Sequence, residues 1–189
     1  DAFATYQYIE VPESPVLKIV PGHATKWVAQ LPTMRRVDEV FRFQLKAEDR
    51  WGNPTAKTDT IFQLTSNLVV NDLPHEINLS SQNDGIILLE GLSVAEKGDL
   101  IIQLNDSSRN FVCRSNPLRI VEDAELVPYW GELHGQSEET IGTNSINEYF
   151  AFARDKAGLD VIVHQGNDFQ ITNEFWEQIQ VMTKEFLDE

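Results

Sequence analysis

The sequence predicts an immunoglobulin-like antiparallel β-sandwich followed by a truncated α/β region. Three observations carry this reading. Short apolar runs with strand-like alternation recur through residues 1–121 with no helical period. From residue 126 the order changes to strand, loop, helix, strand, loop, helix. The charge divides at the same place: residues 1–121 hold 12 Lys/Arg and 15 Asp/Glu, whereas 122–189 hold only Arg154, Lys156 and Lys184 against 15 acids. The acidic stretch Glu122-Asp123-Ala124-Glu125 is the linker, which gives a sandwich over 1–121, a linker over 122–125 and an α/β region over 126–189.

The clearest strand is Phe41, Phe43, Leu45 and Ala47 alternating with Arg42, Gln44, Lys46 and Glu48, the period of two that buries one face. It stops at Asp49-Arg50-Trp51-Gly52-Asn53-Pro54, a run of turn residues. Further strands are expected over 16–20, 26–30, 60–65, 86–89, 100–104, 111–114 and 118–121. In the second region, 126–133 reads as a strand ending at His134. Ser145-Ile146-Asn147-Glu148 has the form of a capping box, and Ile146, Tyr149, Phe150 and Ala153 follow at helical spacing. Gly158 ends that helix. The nearly all-apolar run 159–163 reads as a strand buried on both faces, and Phe175, Ile179, Met182 and Phe186 mark a last helix. Two strand–helix units cannot cover both faces of a parallel sheet, so this region is expected to be incomplete, and its apolar strands to self-associate or to pack on the sandwich.

Composition narrows the function. With 15 basic against 30 acidic residues, the net charge of −15 argues against a nucleic-acid partner. No stretch approaches the roughly 18 to 20 apolar residues of a membrane helix. A single cysteine, Cys113, leaves no internal disulfide and no cysteine-based zinc site, and it fits the cytoplasm and export equally. The chain opens on Asp1 without a basic-then-apolar leader, as a processed or excised chain would.

Chemistry is expected at the strand ends, where parallel α/β arrangements bind their ligands. Two clusters fall there: Glu132-Leu133-His134-Gly135-Gln136-Ser137 and His164-Gln165-Gly166-Asn167-Asp168. His134, Gln136, His164 and Asp168 are the candidate metal ligands, and Glu132 and Asn167 the candidate substrate contacts. Imidazole nitrogen with carboxylate or amide oxygen suits zinc, manganese or iron. Taken singly, each histidine is as readily a hydrogen-bonded strand-end residue, and the loop glycines and asparagines are turn chemistry. His23 and His75 are expected in surface loops, Trp51 and Trp130 as core or interdomain anchors, and Glu138-Glu139 on a solvated face.

Residues 129–137, Tyr-Trp-Gly-Glu-Leu-His-Gly-Gln-Ser, with 149–154 and 158–162, resemble the opening of a polymerase and histidinol phosphatase (PHP) domain. The nearest likeness is to a bacterial family in which a β-sandwich precedes such a domain, and residues 47–54 and 114–118 resemble its sandwich. The resemblance implies the first units of a TIM-related barrel, divalent metal ions, and water activated against phosphate esters of a small-molecule substrate. It also implies that a chain holding only the front of the barrel is inactive. The family has His-x-His at the first strand end and Asp-His at the second; this chain has His134 and Gln136, then Gly166 and Asn167. Those departures keep a second reading in play, a non-catalytic binding protein with a degenerate barrel.

Overall fold

A computed structural model describes residues 17–167 and 171–187. Among the described residues the chain forms twelve strands and two α-helices. Strands β1 (Lys26–Gln30), β3 (Phe41–Glu48) and β6 (Ile86–Leu92) make one antiparallel sheet in the order β1-β3-β6. Opposite it lie β4 (Asp59–Ser66), β5 (Glu76–Ser80), β8 (Ile102–Asn105) and β9 (Phe111–Arg114), in the order β5-β4-β8-β9. A third set joins β2 (Met34–Arg36), β10 (Leu118–Val121) and β7 (Gly98–Leu100), with β10 parallel to β2 and antiparallel to β7.

One core joins these sheets, and the alternation of β3 explains it. Phe43, Leu45 and Ala47 are fully buried against Phe62, Leu79, Leu104 and Leu118 from the other strands. Trp27 of β1 meets Phe62 of β4 edge to face at 5.7 Å, a contact between the two main sheets. The opposite face of β3 carries Arg42 and Gln44, and this is the face on which the second region docks.

Several strand expectations need correction. Val16 lies outside the described residues, while 17–20 is exposed and forms no strand. The expected 100–104 strand divides at Ile101, because the chain leaves β7 in one sheet and enters β8 in another. Strand β5 was not expected although Glu76-Ile77-Asn78-Leu79-Ser80 alternates and buries Ile77 and Leu79; β2 is too short for periodicity to reveal, and Met34-Arg35-Arg36 becomes a strand only by pairing with β10.

Two turns share one construction. Asp49 accepts hydrogen bonds from the N–H groups of Gly22 (2.9 Å), Trp51 (2.8 Å) and Asn53 (3.0 Å), and from the Asn53 amide. Asp106 does the same with Ser108, Asn110 and the Asn110 amide. The Gly22 N–H first, then the Asn53 side chain and the remaining donors, hold the Asp49 carboxyl well below the usual carboxylate range. A depressed folded-state value means that Asp49 contributes stability above its unfolded value near pH 4, and that this is lost as pH falls toward the folded one. Asp49→Asn should therefore lower Tm by roughly 5 °C at neutral pH. The gap from wild type should narrow as pH is taken down to about 2 in a thermal-melt series. A gap that stayed constant down the series would separate the charge from the role.

The fold class expected for the second region is overturned. Strands β11 (Gly131–Gly135) and β12 (Val161–His164) form one two-stranded parallel ribbon, not the opening of a TIM-related barrel. A barrel strand is covered on both faces. Here Gly131 to His134 are all exposed, and Val161 and Val163 remain 46% and 41% accessible. The run 159–163 is therefore covered on one face only, by helix α1 (Ile146–Ala151) and helix α2 (Asn173–Leu187). Ile146, Phe150, Phe175 and Ile179 make a small separate core, with Ile162 packed on it. The described residues form a β-sandwich carrying a small ribbon-and-helix module.

The capping box at Ser145 is formed as expected, with Ser145 and Glu148 bonded reciprocally. Helix α1 then continues as a π-helical turn over Phe152–Ala157 and stops at Gly158, whose φ of 68° is the left-handed cap. The expected 126–133 strand starts only at Gly131, because residues 126–130 cross the gap between the modules. Among the described residues no helix is long and apolar enough to cross a membrane.

Candidate functional site

The module is fixed to the sandwich by polar contacts to backbone. The Arg42 guanidinium donates to the carbonyls of Gly158 (3.0 Å) and Leu159 (2.9 Å) and to the Asp160 carboxylate (3.1 Å). Gln44 donates to the Asp155 carbonyl at 2.9 Å, and Lys156 pairs with Asp84 at 2.9 Å. Trp130 is an interdomain anchor, its indole N–H donating to Thr33 Oγ1 at 2.8 Å. Trp51 is no such anchor: it stands 74% exposed at a loop tip with the Arg50 guanidinium 4.3 Å over its ring. His23 and His75 are exposed in loops. A cavity of about 650 Å³ lies between the modules, lined by Val28, Leu31, Pro32, Pro117, Trp130 and Leu159.

At the far ends of β11 and β12 the two predicted clusters meet. Gly135 pairs with His164, and the Gln165 N–H donates to the Gly135 carbonyl at 2.8 Å. Ser137 Oγ lies 2.8 Å from His164 Nε2. The His164 ring stands edge-on to Tyr149 (6.2 Å) and Phe175 (5.8 Å), which hold its plane. Beneath it the Tyr149 hydroxyl donates to the Val163 carbonyl at 3.0 Å. The 137–142 turn is closed by the N–H groups of Thr140 and Gly142 on the Ser137 carbonyl.

Gln136 Oε1, Glu139 Oε2 and His164 Nδ1 are buried and make no hydrogen bond, and the same holds for Trp27 Nε1, Gln30 Oε1 and Gln44 Oε1 in the sandwich. A buried polar atom without a partner costs about 1–3 kcal/mol, which marks each of these side chains as one that a bound group would stabilise. Burial lowers the His164 pKa, and the Glu139 charge acts on it in the opposite direction, so the carboxylate is electrostatically near the ring. Lowered in this way, the imidazole is neutral at neutral pH and keeps a lone pair to offer.

The structure divides the predicted residues. Gln136 and His164 belong to the knot, whereas His134 and Glu132 are exposed on β11, with the His134 N–H donating to Glu132 Oε1 at 2.6 Å. Asn167 is half-buried in the following loop, and Asp168 lies outside the described residues. Two members escape the sequence reading. Glu139 was expected on a solvated face, yet one of its oxygens is sealed. Ser137 is fully buried, which also denies it the access a serine nucleophile needs. No local pattern in Ser137-Glu138-Glu139 points to the pair.

No protein-family model matches the chain. An uncharacterized protein of Chlamydia pneumoniae is 25% identical over 159 residues, 82% of this chain and 25% of that protein. One from Chlamydia muridarum is 25% identical over 178 residues, 92% of this chain and 27% of its own length. The chain thus spans about a quarter of the length of the curated relatives it matches. Among solved structures, domains 4–9 of the surface layer protein SbsC give a TM-score of 0.37 at 10% identity, over 66% of this chain and 18% of that one. The CARDB domain of a Pyrococcus furiosus protein gives 0.33 at 11% identity, over 58% and 99%. Neither neighbour speaks to what this chain does.

Proposed function

We propose that the loops after β11 and β12 hold a divalent metal ion in a hydrolytic site directed at phosphate esters. The observation behind this is that Gln136 Oε1, Glu139 Oε2 and His164 Nδ1, all in or next to these loops, are buried without a hydrogen-bond partner. A divalent cation can take lone pairs from an imidazole nitrogen, a carboxylate oxygen and an amide oxygen alike. Among the described residues no three His, Cys, Asp or Glu side chains form a metal-holding group, so the set depends on the Gln136 amide. Three protein donors with a position left for water is the composition of a catalytic rather than a structural site. The substrate class comes from the resemblance of residues 129–137 to phosphoesterases; the barrel expected alongside it is not retained.

When bound, such an ion supplies Lewis acidity and a water deprotonated near neutral pH. The protein's own residues do the rest. Glu139 brings the negative charge, His164 brings a neutral nitrogen, and Tyr149 and Phe175 keep the ring from turning. His134 and Glu132, exposed beside the site, are placed to meet a substrate rather than the ion.

Elemental analysis after exhaustive dialysis against zinc or manganese tests this. The expected result is about one equivalent retained by wild type and none by His164→Ala or Glu139→Gln. Absence of metal from wild type would sink the proposal and favour the non-catalytic binding protein.

A further inference from the structure

We propose that the cavity between the sandwich and the ribbon-and-helix module is a binding site for a small, uncharged and mainly apolar molecule that carries an N–H or O–H donor. The site is separate from the loops after β11 and β12, and the inference does not depend on the metal reading.

The cavity holds about 650 Å³, within the range of roughly 300–1,000 Å³ typical of small-molecule pockets, which favour junctions of this kind. Its apolar walls come from both parts of the chain: Val28, Leu31 and Pro117 from the sandwich, Trp130 and Leu159 from beyond the linker. A molecule placed there covers apolar surface on both sides at once, so neither part forms the site alone.

The polar side chains on these walls are spent within the protein, except at two atoms. Asn116 uses both ends of its amide on the backbone of Leu31, accepting at 2.8 Å and donating at 2.8 Å. Thr33 Oγ1 takes the Trp130 indole N–H. Arg42 and Asp160 close on each other at 3.1 Å, so this pair presents no net charge to a ligand. What remains are the amide oxygens of Gln30 and Gln44, residues that line the cavity from opposite positions on β1 and β3. Each Oε1 is buried and accepts nothing.

Gln44 is held in place, with Nε2 on the Asp155 carbonyl at 2.9 Å and Oε1 against Gly158, where a Cβ would fall 2.5 Å from it. Gln30 is half-buried, and the terminal amide of a glutamine turns in a broad torsional well. Turned over, its oxygen accepts from a donor in the cavity. Its NH₂ can then donate to Gln44 Oε1, because residues opposite one another on antiparallel strands stand about 5 Å apart at Cβ. One donor on the ligand thereby relieves both orphaned oxygens, which a molecule offering only acceptors cannot do.

Benzamide, a neutral ring with an NH₂ donor, and methyl benzoate, which lacks the donor, test this on the 189-residue chain labelled with ¹⁵N. Benzamide should move the Trp130 indole signal and the Gln30 and Gln44 side-chain amide signals together. Methyl benzoate should bind roughly 5-fold more weakly, the worth of about one hydrogen bond. Gln30→Met keeps the length of the side chain and removes the acceptor, so its affinity for benzamide should fall by the same factor. No shift at Trp130, Gln30 and Gln44 with millimolar benzamide overturns the inference, as does a shift confined to other residues, and wild type alone decides this. Equal affinity of wild type for the two compounds, or unchanged benzamide affinity in Gln30→Met, overturns the selection of a donor by the glutamines.

Discussion

Replacing Arg42 with alanine should release the ribbon-and-helix module while leaving the sandwich folded. One guanidinium serves three acceptors across the junction, the carbonyls of Gly158 and Leu159 and the Asp160 carboxylate. Asp160 in turn accepts from the Trp130 N–H at 2.9 Å, so the same group braces the entry to β11 and the entry to β12. Removing the guanidinium leaves these acceptors poorly paired at a half-buried junction. Hydrogen bonds to charged groups are each worth about 1.5–3 kcal/mol, and partial exposure keeps the expected total at about 2 kcal/mol. That corresponds to roughly a 30-fold rise in amide exchange over residues 146–187, with β3 and β4 unchanged. Arg42→Lys should recover only part of the loss, because an ammonium can keep the pair with Asp160 but lacks the planar fork for the two carbonyls. Unchanged exchange in Arg42→Ala would assign the docking to Gln44, Trp130 and Lys156 instead.

The same residue shows what sequence can and cannot disclose. That Arg42 faces away from the core follows from its place between Phe41 and Phe43, and the structure agrees. That it spends its hydrogen bonds on residues 116 to 118 positions away does not follow from any local pattern. Short-range signals were legible for this reason: the alternation of β3, the Asp49 turn and the Ser145 capping box each lie within a few residues. Where partners are distant, local pattern does not disclose them. The apolar run 159–163 has the composition of a doubly covered strand, but only Ile162 packs on the helices while Val161 and Val163 face outward. The double cover was read from that composition and the barrel from the resemblance, and neither says how many layers are present. The site behaved in the same way. His164 and Gln136 were found from their position at strand ends, whereas Glu139 looked like one more acid in an acidic stretch. Only the turn at 137–142, which tucks one of its oxygens out of solvent, sets it apart.

Gly135→Ala should damage the candidate site more than any change to the exposed face of the ribbon. A Cβ at Gly135 would land on the Tyr149 hydroxyl and ring. The Tyr149 ring has little freedom to yield, because its hydroxyl is bonded to the Val163 carbonyl and its face meets His164 and Phe150. Either β11 must move away from β12 or Tyr149 must leave, and both outcomes displace His164 from Ser137. Overpacking of this kind costs about 1–3 kcal/mol. Chemical denaturation should show the loss, and the His164 ring should lose its 2.8 Å contact with Ser137, read as a change in its ring ¹⁵N shifts relative to wild type. The origin of the effect can be isolated with a second change. Tyr149→Ala alone removes the hydroxyl bond and opens a hole, so it is destabilising by itself. Combined with Gly135→Ala it also removes the atoms that the new methyl group meets. The double variant should therefore be more stable than the sum of the singles implies, by about 1 kcal/mol or more. Simple additivity would mean that the strand, not the tyrosine, objects to the methyl group, and the close approach of Tyr149 to β11 would lose its part in holding His164.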